Sequence, residues 1–165
     1  MNPRVIIIPL IVLFGAAFAT TYAKLTLAQQ VEKADVIVRA SIKQKTQETR
    51  AGRVWTVYSL EVSKFYKGDR DTFKDSSFAV FDSDKAKLEG APRFNEKDDV
   101  FLLLYSKAYD SPIVGFRQGA YKVLEGNKIS TLDDKSVMIE QDGKPIEASL
   151  ESFTKQLETL TGGTK

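Results

Sequence analysis

The sequence predicts a mainly antiparallel β domain (α+β class), closed or nearly closed into a barrel, with a short helix before the strands and a longer helix after them. Three observations predict it. Asp99 is followed by Val100-Phe101-Leu102-Leu103-Leu104-Tyr105, an unbroken apolar run of strand length, too short for a globular helix and rich in residues that favour strands. Several further short segments alternate apolar and polar residues between turn signals. Helical spacing of apolar residues, each time behind a capping residue, occurs only at the two ends of the domain. Closure would remove the exposed edges that so many strands otherwise present.

Taken in order, Thr26 opens the first helix. Thr26-x-x-Gln29 reads as a capping box, and Leu27, Val31 and Ala34 share one face. Val36, Val38, Ala40 and Ile42 then alternate, which reads as a half-buried strand. Ala51-Gly52 marks a turn, and a long return strand runs over 54–66, with Thr56, Tyr58, Leu60 and Val62 facing inward and Lys67-Gly68-Asp69 ending it. Residues 77–81 form a third strand. The loop over 82–98 is long enough to carry function or to pack over the sheet through Leu88 and Phe94. The run at 99–105, without alternation, fits a strand buried on both faces. Its hairpin partner is expected over Ile113–Val123, then short strands at 128–132 and 136–140, and a hairpin at Asp142-Gly143. Ser149 caps the last helix, where Leu150, Phe153, Leu157 and Leu160 share a face before Gly162-Gly163.

Two absences bound the chemistry. The 165 residues include no His and no Cys. Without a thiolate or an imidazole there is no Cys-His or Ser-His-Asp catalysis, no disulfide and no ordinary zinc site. Carboxylate, lysine and hydroxyl chemistry remain, along with oxygen-ligated cations. A domain near this length buries roughly 68–70% of its unfolded surface, so it needs no staple. No cofactor is expected.

The N-terminus reads as an export signal. Arg4 precedes an apolar centre over 5–18, and Ala17-Phe18-Ala19 supplies a small-x-small cleavage pattern. Cleavage is expected after Ala19, with Thr21-Tyr22-Ala23 as the second choice, leaving one domain over 20–165. The alternative is an uncleaved N-terminal membrane anchor, since residues 5–23 carry no charge. Either way the domain lies outside the cytoplasm, periplasmic or secreted, touching a membrane only through an uncleaved leader.

The stretch Ala34–Ala40, an aromatic-rich strand ending Phe65-Tyr66-Lys67-Gly68, and Val100–Tyr105 together resemble the netrin/tissue-inhibitor-of-metalloproteinases module. The resemblance spans residues 34–105 and implies an OB-like barrel. Inhibitors of that family reach a protease zinc through an N-terminal cysteine, which this chain lacks, so zinc-directed inhibition does not carry over. The mature chain more closely resembles a class of small exported bacterial proteins with no assigned activity. In that class a leading helix and Ala-Asp strand, a Lys-Gly strand end, a Pro-x-Phe loop and a Gly-x-x-Gln-Gly strand recur. Here they are residues 27–40, Lys67-Gly68, Pro92-Arg93-Phe94 and Gly115-Phe116-Arg117-Gln118-Gly119. The likeness implies fold and export, and no chemistry.

Two stretches are site-like. Gly115 and Gly119 permit a bulge or a close backbone approach, which would aim Arg117 and Gln118 at a ligand or simply bend a barrel corner. The first hairpin is basic. Residues 33–74 hold ten Lys and Arg against five acids, a net of +5, whereas residues 75–165 net −4. Lys43, Lys45, Arg50, Arg53 and Trp55 gather near its tip, and OB-folds bind on such basic, aromatic faces. The alternative is a solvated hairpin whose charges blunt an edge. Asp82-x-Asp84 and Asp98-Asp99 carry oxygens suited to Ca²⁺ but match no EF-hand spacing. Ser63-Lys64 and Ser106-Lys107 are strand neighbours that point to opposite faces, so they make poor dyads. The expected function is a non-enzymatic binding or adaptor module, its partner a protein or an anionic glycan or lipid head-group. Export disfavours nucleic acid. The alternatives are an inhibitor of an exported protease and a carboxylate-based exported hydrolase.

Overall fold

A computed structural model describes residues 23–81, 90–107, 111–141 and 143–162. The expected leader, its cleavage after Ala19, Leu88, and the Asp82-x-Asp84 pair lie outside the described residues. Helix α1 (Leu27–Lys33) starts on the expected capping box, with Thr26 Oγ1 accepting from the Gln29 N–H and the Gln29 side chain accepting from the Thr26 N–H. Among the described residues eight strands follow: β1 (Val36–Arg50), β2 (Arg53–Lys67), β3 (Ser77–Val80), β4 (Asp99–Leu104), β5 (Ala120–Leu124), β6 (Lys128–Thr131), β7 (Met138–Gln141) and β8 (Lys144–Glu147). Helix α2 (Leu150–Leu160) ends the domain, capped by Ser149. Among the described residues no helix is long and apolar enough to cross a membrane.

Six strands form one antiparallel sheet in the order β3-β2-β1-β4-β5-β6, and β7-β8 is a separate hairpin. The protein is therefore mainly β, but the sheet is not closed into the expected barrel. Among the described residues no ladder joins β3 to β6; Phe78 and Val80 share an apolar cluster with Leu104 and Ile113. Strand β1 is long because Ala51 and Gly52 both take left-handed backbone angles (φ 49° and 75°), the pair needed for a tight two-residue hairpin. Register shifts between β1 and β2, one of them at Ile42/Gln44, bend this ribbon.

Strand β4 is the centre of the fold, as its unbroken apolar run predicts. Val100, Leu102 and Leu104 face one cluster with Val36, Val38, Ala40, Ile42, Tyr58, Leu60, Phe78 and Phe94. Phe101 and Leu103 face the other, with Ile37, Tyr66 and Tyr121 from the sheet and Val31, Phe153 and Leu157 from the two helices. The alternation of β4 thus feeds two cores, and both are apolar. The inward set Thr56, Tyr58 and Leu60 is buried as expected, and Val62 packs against the same cluster.

A second expectation needs correction, after that of the closed barrel. The partner of β4 is a strand only over Ala120–Leu124; residues 113–119 are a tight turn. Gly115 and Phe116 both adopt left-handed angles (φ 62° and 69°), which no strand allows. The chain folds back so that Val114 N–H donates to Leu103 O (2.9 Å), Gly119 N–H to Val114 O (2.9 Å) and Leu103 N–H to Gly119 O (2.8 Å).

Tyr121 brings a titratable hydroxyl into the helix-side core. The Tyr121 hydroxyl donates to Gln30 Oε1 (2.7 Å), joining β5 to α1. Burial pushes its pKa up from 10.0 to about 12. The folded state holds this proton more tightly than the unfolded chain. Stability from Tyr121 is therefore full below pH 10 and falls as pH rises to about 12. The loss is roughly 2–3 kcal/mol, at 1.36 kcal/mol per pKa unit. Chemical denaturation between pH 9.5 and 11.5 should show this slope, and Tyr121→Phe should flatten it. An unchanged slope in Tyr121→Phe would assign the effect elsewhere.

Candidate functional site

The open side of the sheet forms a groove of about 1030 Å³. One lip is β3 (Ser77, Phe78, Ala79) with Thr72, Phe73 and Asp75 before it; the other is Tyr105, Ser106, Lys107 and Pro112. The β1–β2 turn contributes Arg50, Ala51, Arg53 and Trp55. Three of the expected ligand-binding residues, Arg50, Arg53 and Trp55, thus meet in one concave site.

The register explains why they meet. Val57 pairs with Ala79 and Thr56 with Val80, so Trp55, two residues before Val57, lies on the outer face beside Phe81. The Trp55 and Phe81 rings are 5.4 Å apart, and the Arg53 guanidinium sits 5.7 Å from the Phe81 centroid. Arg53 has a cation–π contact but no ion pair among the described residues. Arg50 is tied to Glu48 Oε2 through Nε (3.0 Å) and NH2 (2.8 Å). Its exposure leaves that pair worth little in stability. Arg50, Arg53 and Lys107 face a single acid, Asp75, among the lining residues.

The far lip is fixed by Asp35, whose carboxylate accepts from the Ser106 N–H and hydroxyl (both 2.8 Å). The backbone N–H of Ser106, and then its hydroxyl, hold the Asp35 carboxyl below the usual range. Ser106 is thereby turned to Asp35, while Lys107 stays exposed and without an ion pair among the described residues.

Four expected site residues lie elsewhere. Lys43 has no partner in the β1–β2 register, because the shift at Ile42/Gln44 skips it, and it is exposed. Lys45 is exposed opposite Tyr58, its backbone N–H donating to Glu96 Oε1 (3.3 Å). Arg117 is paired with Asp133 (2.6 Å). Gln118 is structural: its Oε1 accepts from Leu25 N–H (2.7 Å) and its Nε2 donates to Ala23 O (2.9 Å), clamping the segment before α1. Gly115 leaves room for that side chain, since an added Cβ would lie 3.1 Å from Gln118 Nε2. Gln118→Ala should cost about 1–2 kcal/mol, two hydrogen bonds' worth, and speed amide exchange at Leu25. Unchanged protection at Leu25 would show that the clamp does not hold.

The acidic pair read as a possible Ca²⁺ site is used internally. Asp98 faces Lys122 (3.4 Å) and accepts from Asn95 N–H (2.9 Å), and Asp99 is bound by Arg39 Nε and NH2 (3.1 and 2.6 Å). Lys64 is paired with Glu158 of α2 (2.5 Å), and Ser63 donates to Arg39 O (3.0 Å). No cluster of acids able to hold a metal occurs among the described residues.

Sequence reasoning missed Lys107, Phe81 and the β3 edge as parts of a site. Nothing in their spacing places Tyr105, Ser106, Lys107 and Pro112 beside 72–79. Only the curl of the sheet does so. No protein-family model matches the chain, and no curated protein matches it.

Proposed function

We propose that this protein is an exported, non-enzymatic binding module of OB-like build, and that it takes an anionic partner at the groove. The observation that carries the reading is the arrangement of Arg50, Arg53 and Lys107 around a concave surface with one acid, next to the Trp55–Phe81 pair. Exposed cations gathered on one surface raise the local concentration of an anion, and the aromatic pair supplies contact area that charge alone lacks. The excess of positive charge over residues 33–74 extends this field along the first hairpin. The partner is a protein, or an anionic glycan or lipid head-group, met in the periplasm or outside the cell.

Cross-linked affinity capture from an envelope extract tests it, at low and at high salt. The expected result is a partner held at low salt, released by high salt, and held about tenfold more weakly by Arg53→Glu, on the order of 1.4 kcal/mol. Charge-driven contacts between exposed groups are screened within about 10 Å at 0.1 M salt. A partner retained equally at both salts, or equally by Arg53→Glu, would overturn the reading.

A further inference from the structure

The edge of β3 gives the anionic-partner reading, on which this inference rests, a definite kind of partner. β3 is the last strand on its side of the sheet. Its ladder to β2 fixes which backbone groups are in use. Leu60 N–H donates to Ser76 O (2.8 Å). The peptide bond is trans, so the N–H of Ser77 points the other way. Alternation along an antiparallel pair then commits Phe78 and Val80 to β2 and turns the N–H and C=O of both Ser77 and Ala79 away from it. Both residues line the groove, and neither backbone has another hydrogen bond among the described residues.

An open edge is normally blunted by lysine, proline or a bulge. Ser77-Phe78-Ala79-Val80 has no charge and no proline, and its register with β2 is regular. Its free backbone groups face a groove, not open solvent. The face of β3 that carries Ala79 is the face of Trp55, beside Arg53, whereas Phe78 points into the apolar cluster. A strand laid along β3 would meet an apolar lining at alternate residues and the basic, aromatic outer face at the others.

We propose that the groove accepts an extended acidic polypeptide segment, which adds to β3 as a further strand. Main-chain bonds to Ser77 and Ala79 supply affinity, as in other strand-addition complexes. Alternating apolar and acidic side chains supply specificity, the acids lying towards Arg53. The added strand fills the side of the sheet that its own strands leave open.

The test is fluorescence anisotropy of a labelled ten-residue peptide of alternating Glu and Val, added to the whole protein. A second peptide of the same sequence carries N-methyl groups on alternate backbone nitrogens, which removes hydrogen-bond donors and keeps the charge. The proposal expects the first peptide to bind and the second to bind at least tenfold more weakly. Ala79→Pro deletes a backbone N–H that β2 does not use, so it should also weaken binding at least tenfold, and Arg53→Glu about tenfold. If Ala79→Pro does not fold, the two peptides decide between themselves. Equal binding of both peptides, with loss in Arg53→Glu, would overturn strand addition and leave the anionic-partner reading standing. Equal binding in Arg53→Glu as well would overturn both. A wild-type protein that ignores the peptide but binds a sulfated polysaccharide would overturn strand addition alone, and one that binds neither would overturn both. A dimer in sedimentation that Ala79→Pro dissolves would give the edge to a second copy of this chain and overturn the proposal.

Discussion

Phe101→Ala is expected to cost about 3–5 kcal/mol, the range for truncating a fully buried phenylalanine. Phe101 is 0% exposed at the middle of β4. Its ring lies 5.1 Å from Phe153 of α2 and 5.8 Å from Tyr66 of β2, so it joins the last helix to two strands at once. The walls of the resulting cavity belong to a paired sheet and a capped helix, which cannot collapse inward freely. Natural domains hold only about 5–15 kcal/mol in total, and the melting temperature should fall by on the order of 10–15 °C. Thermal and urea denaturation measure this. A loss below about 1 kcal/mol would mean that β4 is not the centre of the core.

Gly119→Val is expected to cost about 3 kcal/mol, the upper part of the range for overpacking. The cause is space and not backbone angle, because Gly119 is not among the glycines with left-handed φ. A Cβ there would lie 3.0 Å from Leu103 O, 3.1 Å from Leu103 Cβ and 3.2 Å from Val114 Cβ. Leu103 O already accepts from Val114 N–H, and Gly119 O accepts from Leu103 N–H, so neither backbone can retreat without breaking a bond. Gly119→Ala should cost less, and Arg117→Ala, which removes only a partly exposed ion pair, should stay within about 1 kcal/mol. A melting temperature unchanged in Gly119→Val would show that the turn relaxes around the new side chain.

Both variants act on features that differ in how plainly the sequence announces them. The strand at 99–104 is legible because six apolar residues without alternation, Val100–Tyr105, have few other uses in a small domain. Both helix starts are legible because Thr26 and Ser149 cap them through their own side chains. The turn at Ala51-Gly52 is legible for the same local reason. The segment 113–119 reads as a strand with two glycines and is instead a turn, since it depends on Phe116 taking a left-handed angle, a choice bulky residues rarely make. Contacts with Leu103, packing of Phe116 on the apolar cluster and the Ser111 hydroxyl, which donates to Phe116 O (2.6 Å), help to hold it there.

The site divides along the same line. Arg50, Arg53 and Trp55 are near one another in sequence, and a tight hairpin keeps them so in space. Lys43 and Lys45 are equally near in sequence but are carried away from the groove by the bulge at Ile42/Gln44, which no local pattern marks. Lys107 joins the site from more than fifty residues away because β1 pairs with β4 over Val36–Ser41, and Asp35 then binds Ser106. Gln118 carries the polar side chain expected of a ligand-binding residue and spends it on the chain's own backbone.

Trp55 is the only tryptophan of the chain and lies on the groove. Its fluorescence therefore reports directly on whether an anion enters. The decisive measurement is a titration of the protein with poly-glutamate, following Trp55 emission at low and high salt. A saturable change in emission whose midpoint moves to higher polymer concentration as salt is raised is the predicted result. Emission that stays constant through the titration at low salt would contradict the claim that this groove takes an anionic partner.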